Sequence, residues 1–200
     1  MSEPAQGRPW VTAALAVATV LVAASPAMQT GLMLDRPLIS VGQVWRLWTG
    51  HLVHHGASHG LWNLVVFIPV GCWLERIRPT LARLYLLIAS ALISAGLLAF
   101  DPQLSRYAGL SGLATGLLLL LACDRLKQIN REPRWVWLGV LILVAGKIGF
   151  EWMTDTPIFS RLNDGVKNVP LAHLFGAVSA VGFFLLAQLK TFASADRPIA

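Results

Sequence analysis

The stretch "HLVHHGASHGLWNLVVFIPVGCWL", His51 to Leu74, holds four of the chain's five histidines before Asn63 and then runs apolar to its end. Its two halves invite opposite readings. A histidine cluster suggests polar loop chemistry, whereas the apolar run suggests a helix in lipid. Composition decides between them. Of 200 residues, 56% are hydrophobic and 13% charged, and the mean hydropathy is +0.62. A soluble domain of this length needs far more polar surface, so the chain reads as an integral membrane protein.

Crossing the hydrocarbon core takes about 20 mostly apolar residues in a helix. Six segments approach this requirement: Trp10–Ala27, Gly60–Leu74, Leu81–Phe100, Gly109–Cys123, Trp135–Met153 and Val169–Leu189. The expected fold is an all-α membrane protein, a bundle of six transmembrane helices in one domain over 10–190. Polar tails are expected at 1–9 and 191–200. The second and fourth segments are short for a span. The first resembles a signal peptide, with Arg8 before it and "AASPA" behind it, but five further spans favour a retained helix.

The net charge of +6 does not point to nucleic acid, because the basic residues fall in short loops. With the N-terminus cytoplasmic, ten lie inside (Arg8, Arg76, Arg78, Arg83, Arg125, Lys127, Arg131, Arg134, Lys190 and Arg197) and five outside (Arg36, Arg46, Arg106, Arg161 and Lys167). That bias places both termini inside. Cys72 and Cys123 then lie near the inner ends of their helices, facing a reducing compartment, where a disulfide is not expected.

Polar side chains inside a bilayer are costly, so each is a candidate for function. Four places stand out at similar depth. In "YAGLSGLATG", Tyr107 to Gly116, glycines flank Ser111, and Gly112 and Gly116 make a small-xxx-small face for close helix contact. In "PLAHLFGAVSA", Pro170 to Ala180, His173 shares a face with Gly176, Ala177 and Ala180. If these helices pack together, hydroxyl and imidazole can meet as a nucleophile and its base. Taken singly, the serine reads more readily as packing and the histidine as interfacial. His59 and Asn63, four residues apart, can donate hydrogen bonds to a developing oxyanion, or make an interhelical contact. Lys147 and Glu151, also four apart, form a structural ion pair or help to recognise a substrate. A metal site is not expected. "HLVHH" looks like a histidine box of membrane di-iron enzymes, but only His173 lies outside the cluster and no carboxylate is spaced to complete a site. His51, His54 and His55 then read as loop residues, with His54 making a structural hydrogen bond.

In order, "VWRLWTGHLVHHGASHGLWN", "GLSG" and "AHLFG" resemble the rhomboid intramembrane serine proteases, over residues 41–185. The resemblance implies a Trp-Arg pair in the first outer loop (Trp45, Arg46), a structural His54, oxyanion donors His59, Asn63 and the Ser111 backbone N–H, a Ser111 nucleophile in Gly109-x-Ser-Gly112, and a His173 base with Gly176 after it. It implies a Ser-His dyad without cofactor or metal. More narrowly, the Lys147…Glu151 pair and "TGHLVH" look like rhombosortases. The implied partners are membrane-anchored proteins with a C-terminal Gly-Gly-type sorting tail, cut at the outer face of a bacterial inner membrane. Two departures stand out. Ala180 replaces the glycine four residues after Gly176, and no tyrosine follows the nucleophile, so something else must hold the His173 ring. The alternatives are a general rhomboid protease with other single-span substrates and a non-catalytic relative that binds membrane helices.

Overall fold

The structure is a computed structural model that describes residues 7–128, 132–158 and 168–195, the side chains of 190–195 excepted. Most of the two expected tails (1–6 and 196–200) and Arg131, Arg161, Lys167 and Arg197 fall outside these residues. In chain order come α1 (Trp10–Ala23), α2 (Pro26–Leu32), β1 (Leu34–Asp35), α3 (Arg36–Ser40), α4 (Arg46–Thr49), a 3-10 turn (Gly50–Leu52), α5 (Ala57–Ile77), α6 (Pro79–Phe100), β2 (Arg106–Tyr107), α7 (Ser111–Lys127), α8 (Arg134–Thr154) and α9 (Pro170–Ala195).

Among the described residues, α5, α6, α8 and α9 are long and apolar enough to cross a membrane. Counting α1 and α2 as one bent span gives five. The chain is thus a multi-pass, mainly helical membrane protein, but six spans are not reached. The expected first span, Trp10–Ala27, breaks because Ser25 and Pro26 stop one helix and start another. Ser25 Oγ accepts from Met28 N–H at 3.3 Å, Pro26 opens α2, and the axis turns by 118°. The fourth helix has 17 residues and ends on Asp124, Arg125 and Lys127. The second is longer than expected at 21 residues, because Ser58, His59, Glu75 and Arg76 flank the apolar run yet are helical. The sixth continues to Ala195. Among the described residues two short strands, β1 and β2, pair antiparallel, Leu34 with Tyr107 and Asp35 with Arg106.

The most enclosed helix is α7, buried on most of its circumference from Gly112 to Arg125, as suits a helix ringed by others. It packs most extensively on α9 and also meets α5, α6 and α8. The outer helices turn apolar side chains such as Leu87, Ile142, Leu143 and Leu186 outwards, where lipid can cover them.

Contact between α7 and α9 rests on missing side chains. A Cβ on Gly112 would lie 2.6 Å from the Ala172 carbonyl oxygen, and one on Gly176 would collide with the Gly112 carbonyl. Small residues let the backbones approach this closely. Above Gly116 the Tyr85 hydroxyl donates to the Gly176 carbonyl at 3.1 Å, tying in α6. Of the expected α9 face, Gly176, Ala180 and His173 are buried and Ala177 half-buried; Ala172 completes it.

The first helix is held by a foreign cap. No side chain of its own caps α1. Instead, the fully buried Glu75 of α5 accepts from Val11 N–H at 3.2 Å, from Thr12 N–H at 2.9 Å and from the Thr12 hydroxyl at 2.9 Å, and it pairs with Arg83 at 2.9 Å. A carboxylate there satisfies orphan donors and complements the positive end of the helix.

Replacing Gly176 by alanine should cost about 1–3 kcal/mol through forced separation of α7 and α9. Gly182 lies on the same helix with open space around it, so Gly182→Ala should leave stability almost unchanged. Thermal unfolding of both variants in detergent micelles checks this contrast; equal midpoints would contradict it.

Candidate active site

The loop before α7 sets where Ser111 points. Gly109 takes φ +141°, which side-chain-bearing residues rarely adopt, and a Cβ there would sit 3.0 Å from His59 Cε1. Gly109 N–H donates to the Gly50 carbonyl at 3.3 Å. His51, only 1% exposed, lies with Nδ1 3.3 Å from the Gly109 carbonyl and Nε2 2.9 Å from the Ser90 carbonyl and 3.1 Å from the Ser94 hydroxyl. It therefore ties the loop to α6. His54 Nε2 accepts from Leu110 N–H at 3.3 Å. This bond needs a lone pair on Nε2, so the neutral ring carries its proton on Nδ1. Tyr107 Oη donates to the Gly109 carbonyl at 2.9 Å.

Two of these three histidines, His51 and His54, are thus anchors, where the sequence read all three as loop residues and gave a structural hydrogen bond to His54 alone. Burial pushes His51 down, against hydrogen bonds to the Ser90 and Gly109 carbonyls that raise it. Burial, aided by the neighbouring His59, pushes His54 down to about 3. Burial likewise pushes the Tyr107 phenol up, opposed by hydrogen bonds with the Ser111 side chain and the Gly112 backbone.

Ser111 opens α7, whose first helical bond runs from Ala114 N–H to the Leu110 carbonyl. The N–H of Ser111 therefore has no partner within the helix. The serine lines a cavity of about 540 Å³ together with His55, His59, Asn63, Lys147, Glu151 and His173, and Tyr107, Asn168 and Trp62 complete part of its wall. Helices α5, α7, α8 and α9 thus bring His59, Asn63, Ser111, Lys147, Glu151 and His173 into one space. The α7–α9 contact does this directly: Ser111 adjoins Gly112, and His173 adjoins Ala172, the two residues whose backbones meet.

Most buried polar groups have partners, yet several here do not. The amide nitrogens of Asn63 and Asn168 and Nδ1 of His59 are buried without a hydrogen-bond partner among the described residues. His59 and Asn63 lie on one face of α5, as their spacing requires, and both border the cavity. By contrast Lys147 and Glu151 are paired, Nζ to Oε2 at 2.8 Å. The same carboxylate oxygen lies 2.7 Å from His173 Nδ1. That contact supplies what the sequence left open, the group that holds the ring. An α8 spacing of four residues could show a Lys-Glu pair but not which side chain of another helix it would meet.

The remaining sequence candidates lie outside the cavity. Arg46, 5% exposed, donates to the carbonyls of Thr30 at 3.1 Å and Met33 at 2.6 Å and to Gln43 Oε1 at 2.8 Å, closing the first loop on itself. Trp45 is half-exposed beside it. Both cysteines are free. Among the described residues no three His, Cys, Asp or Glu side chains are grouped to hold a metal ion.

Against known proteins, the family model described as the rhomboid domain matches residues 41–189. No curated protein matches the chain.

His54 gives a pH prediction. Its folded value, about 3, lies below the roughly 6.5 of an exposed imidazole. Below pH 6.5 the unfolded chain binds the proton more readily, so His54 stabilises the fold fully above 6.5 and loses that contribution as pH falls towards 3. The thermal midpoint should drop between pH 7 and pH 4, and less steeply in His54→Gln. Parallel slopes for the two proteins would contradict the assignment.

Proposed function

The chain belongs to the rhomboid family, and on that premise we propose that it is a serine endopeptidase that hydrolyses peptide bonds within the membrane. Members of this family are generally intramembrane serine proteases. What supports the reading most is that His59 and Asn63, each with an unpartnered buried nitrogen, border the same cavity as Ser111 and His173. Buried donors left without a partner are costly, and a transient negative oxygen would satisfy them.

In the proposed reaction the Ser111 hydroxyl attacks the substrate carbonyl while its proton passes to His173 Nε2. The carbonyl oxygen becomes an oxyanion, held by the Ser111 backbone N–H, the Asn63 amide and the His59 ring, each donor worth about 3 kcal/mol of barrier. The positive end of α7 adds to this. His173 then gives its proton to the leaving amine, and an acyl-enzyme remains on Ser111. Water entering the cavity, deprotonated by His173, hydrolyses the ester.

The proposed substrates are exported proteins anchored by a C-terminal tail of Gly-Gly-type motif, transmembrane helix and basic end. This finer assignment rests on the likeness of Lys147, Glu151 and "TGHLVH" to rhombosortases. The proposed setting is a bacterial inner membrane, with six membrane-crossing segments, α7 among them, both termini cytoplasmic and the cavity open to the periplasm, as the ten-to-five division of basic residues favours.

Co-expression with a secreted reporter carrying such a tail tests the proposal. The native chain should shorten the reporter, and Ser111→Ala or His173→Ala should leave it intact. Asn63→Ala should slow processing by about 100-fold. Processing that persists with Ser111→Ala would overturn the assignment, and a tailless single-span reporter cut equally well would overturn the choice of substrate.

A further inference from the structure

Glu151 is almost fully buried, 1% exposed, and among the described residues its carboxylate meets three nitrogen groups. Oε2 lies 2.7 Å from His173 Nδ1 and 2.8 Å from Lys147 Nζ, and Oε1 accepts from Ile158 N–H at 3.3 Å. A carboxylate so occupied has little left for a substrate. Its orientation is fixed from three sides: its own helix, the turn after that helix, and α9.

We propose that Glu151 is the positioning residue for His173, so that the catalytic unit is a serine–histidine–glutamate triad with Lys147 as the counter-ion of its acid. This rests on the protease reading above. The chemistry follows from the proton inventory of the ring. A carboxylate at Nδ1 accepts the Nδ1–H hydrogen bond, which leaves the Nε2 lone pair free to take the Ser111 proton. When that proton arrives, the ring becomes an imidazolium whose Nδ1–H faces an anion in a poorly solvated site, and the carboxylate itself stays unprotonated.

Lys147 Nζ completes the arrangement, 3.2 Å from Nδ1 and 3.5 Å from Nε2. A buried carboxylate without a counter-charge is strongly disfavoured, and the ammonium supplies that charge. Its closeness to the ring also opposes imidazolium formation, so the pair must be balanced: the anion in direct hydrogen-bond contact with the ring, the cation alongside. Other titratable groups lining the cavity include His59 from α5, His55 and Tyr107. With this arrangement, the tyrosine that this chain lacks after its nucleophile is not needed to hold the ring.

Inactivation by a fluorophosphonate needs no knowledge of the substrate and separates rate from amount of folded protein. Micellar wild type should label on Ser111 to completion. Glu151→Gln should also label to completion with an unchanged KI, but with kinact lowered at least about tenfold. Glu151→Asp, which keeps the charge, should recover part of the loss. Wild-type kinact in the glutamine variant would overturn the triad while leaving the protease reading intact; no Ser111-dependent labelling of the wild type would overturn both. The unaltered fold offers a second readout. In histidine-¹⁵N-labelled wild type, the resonances missing from His173→Gln should show the Nδ1–H tautomer, and an Nε2–H tautomer would refute the positioning role.

Discussion

The close approach of α7 and α9 at Gly112, Ala172 and Gly176 is the contact on which the rest of the structure depends. Lipid offers helices no hydrophobic reason to associate, so packing distance and hydrogen bonding must do it. Here backbone meets backbone, with no room for a methyl group at Gly176. The approach makes α7 the axis of the bundle and sets the registers of Ser111 and His173 together. A larger residue at either glycine would move the two side chains apart by the same amount as the helices.

Around that axis the buried polar groups divide into two kinds. Glu75, Arg46 and His51 are enclosed and heavily hydrogen-bonded; they cap a helix, close a loop and anchor a turn. Each is polar because a backbone group near it needs a partner. Arg125, stacked on Trp73 and paired with Glu132, belongs with them. The second kind gathers at the cavity, where Asn63, His59 and Asn168 keep buried nitrogens unpartnered. An incomplete polar group costs stability, and three of the five such atoms among the described residues belong to residues that line this cavity, the other two being Thr19 Oγ1 and His54 Nδ1.

Much of this was legible in the sequence because membrane solvation leaves few options. Apolar run length located the helices, and three- and four-residue spacings located the small faces of α7 and α9. Other features were not legible, for identifiable reasons. The break at Ser25–Pro26 is a local capping signal inside an apolar run. The full length of α5 was hidden at its far end because Glu75 looks like a loop residue until its tertiary partners, Thr12 and Arg83, are known. His51 as an anchor, the Leu34–Asp35 pairing with Arg106–Tyr107 and the contact of Glu151 with His173 all join residues distant in sequence. Spacing along one helix can show which residues share a face but not what that face will touch.

The central claim is that a serine at the head of α7 is activated by an imidazole on α9. Its most direct test is the site of covalent phosphonate attachment, read by mass spectrometry of the intact protein and its fragments. The adduct is expected on Ser111 alone, and it should vanish in a His173→Ala protein that retains its thermal midpoint. An adduct that forms at the native rate without His173, or that maps to a residue outside the cavity, would contradict the claim.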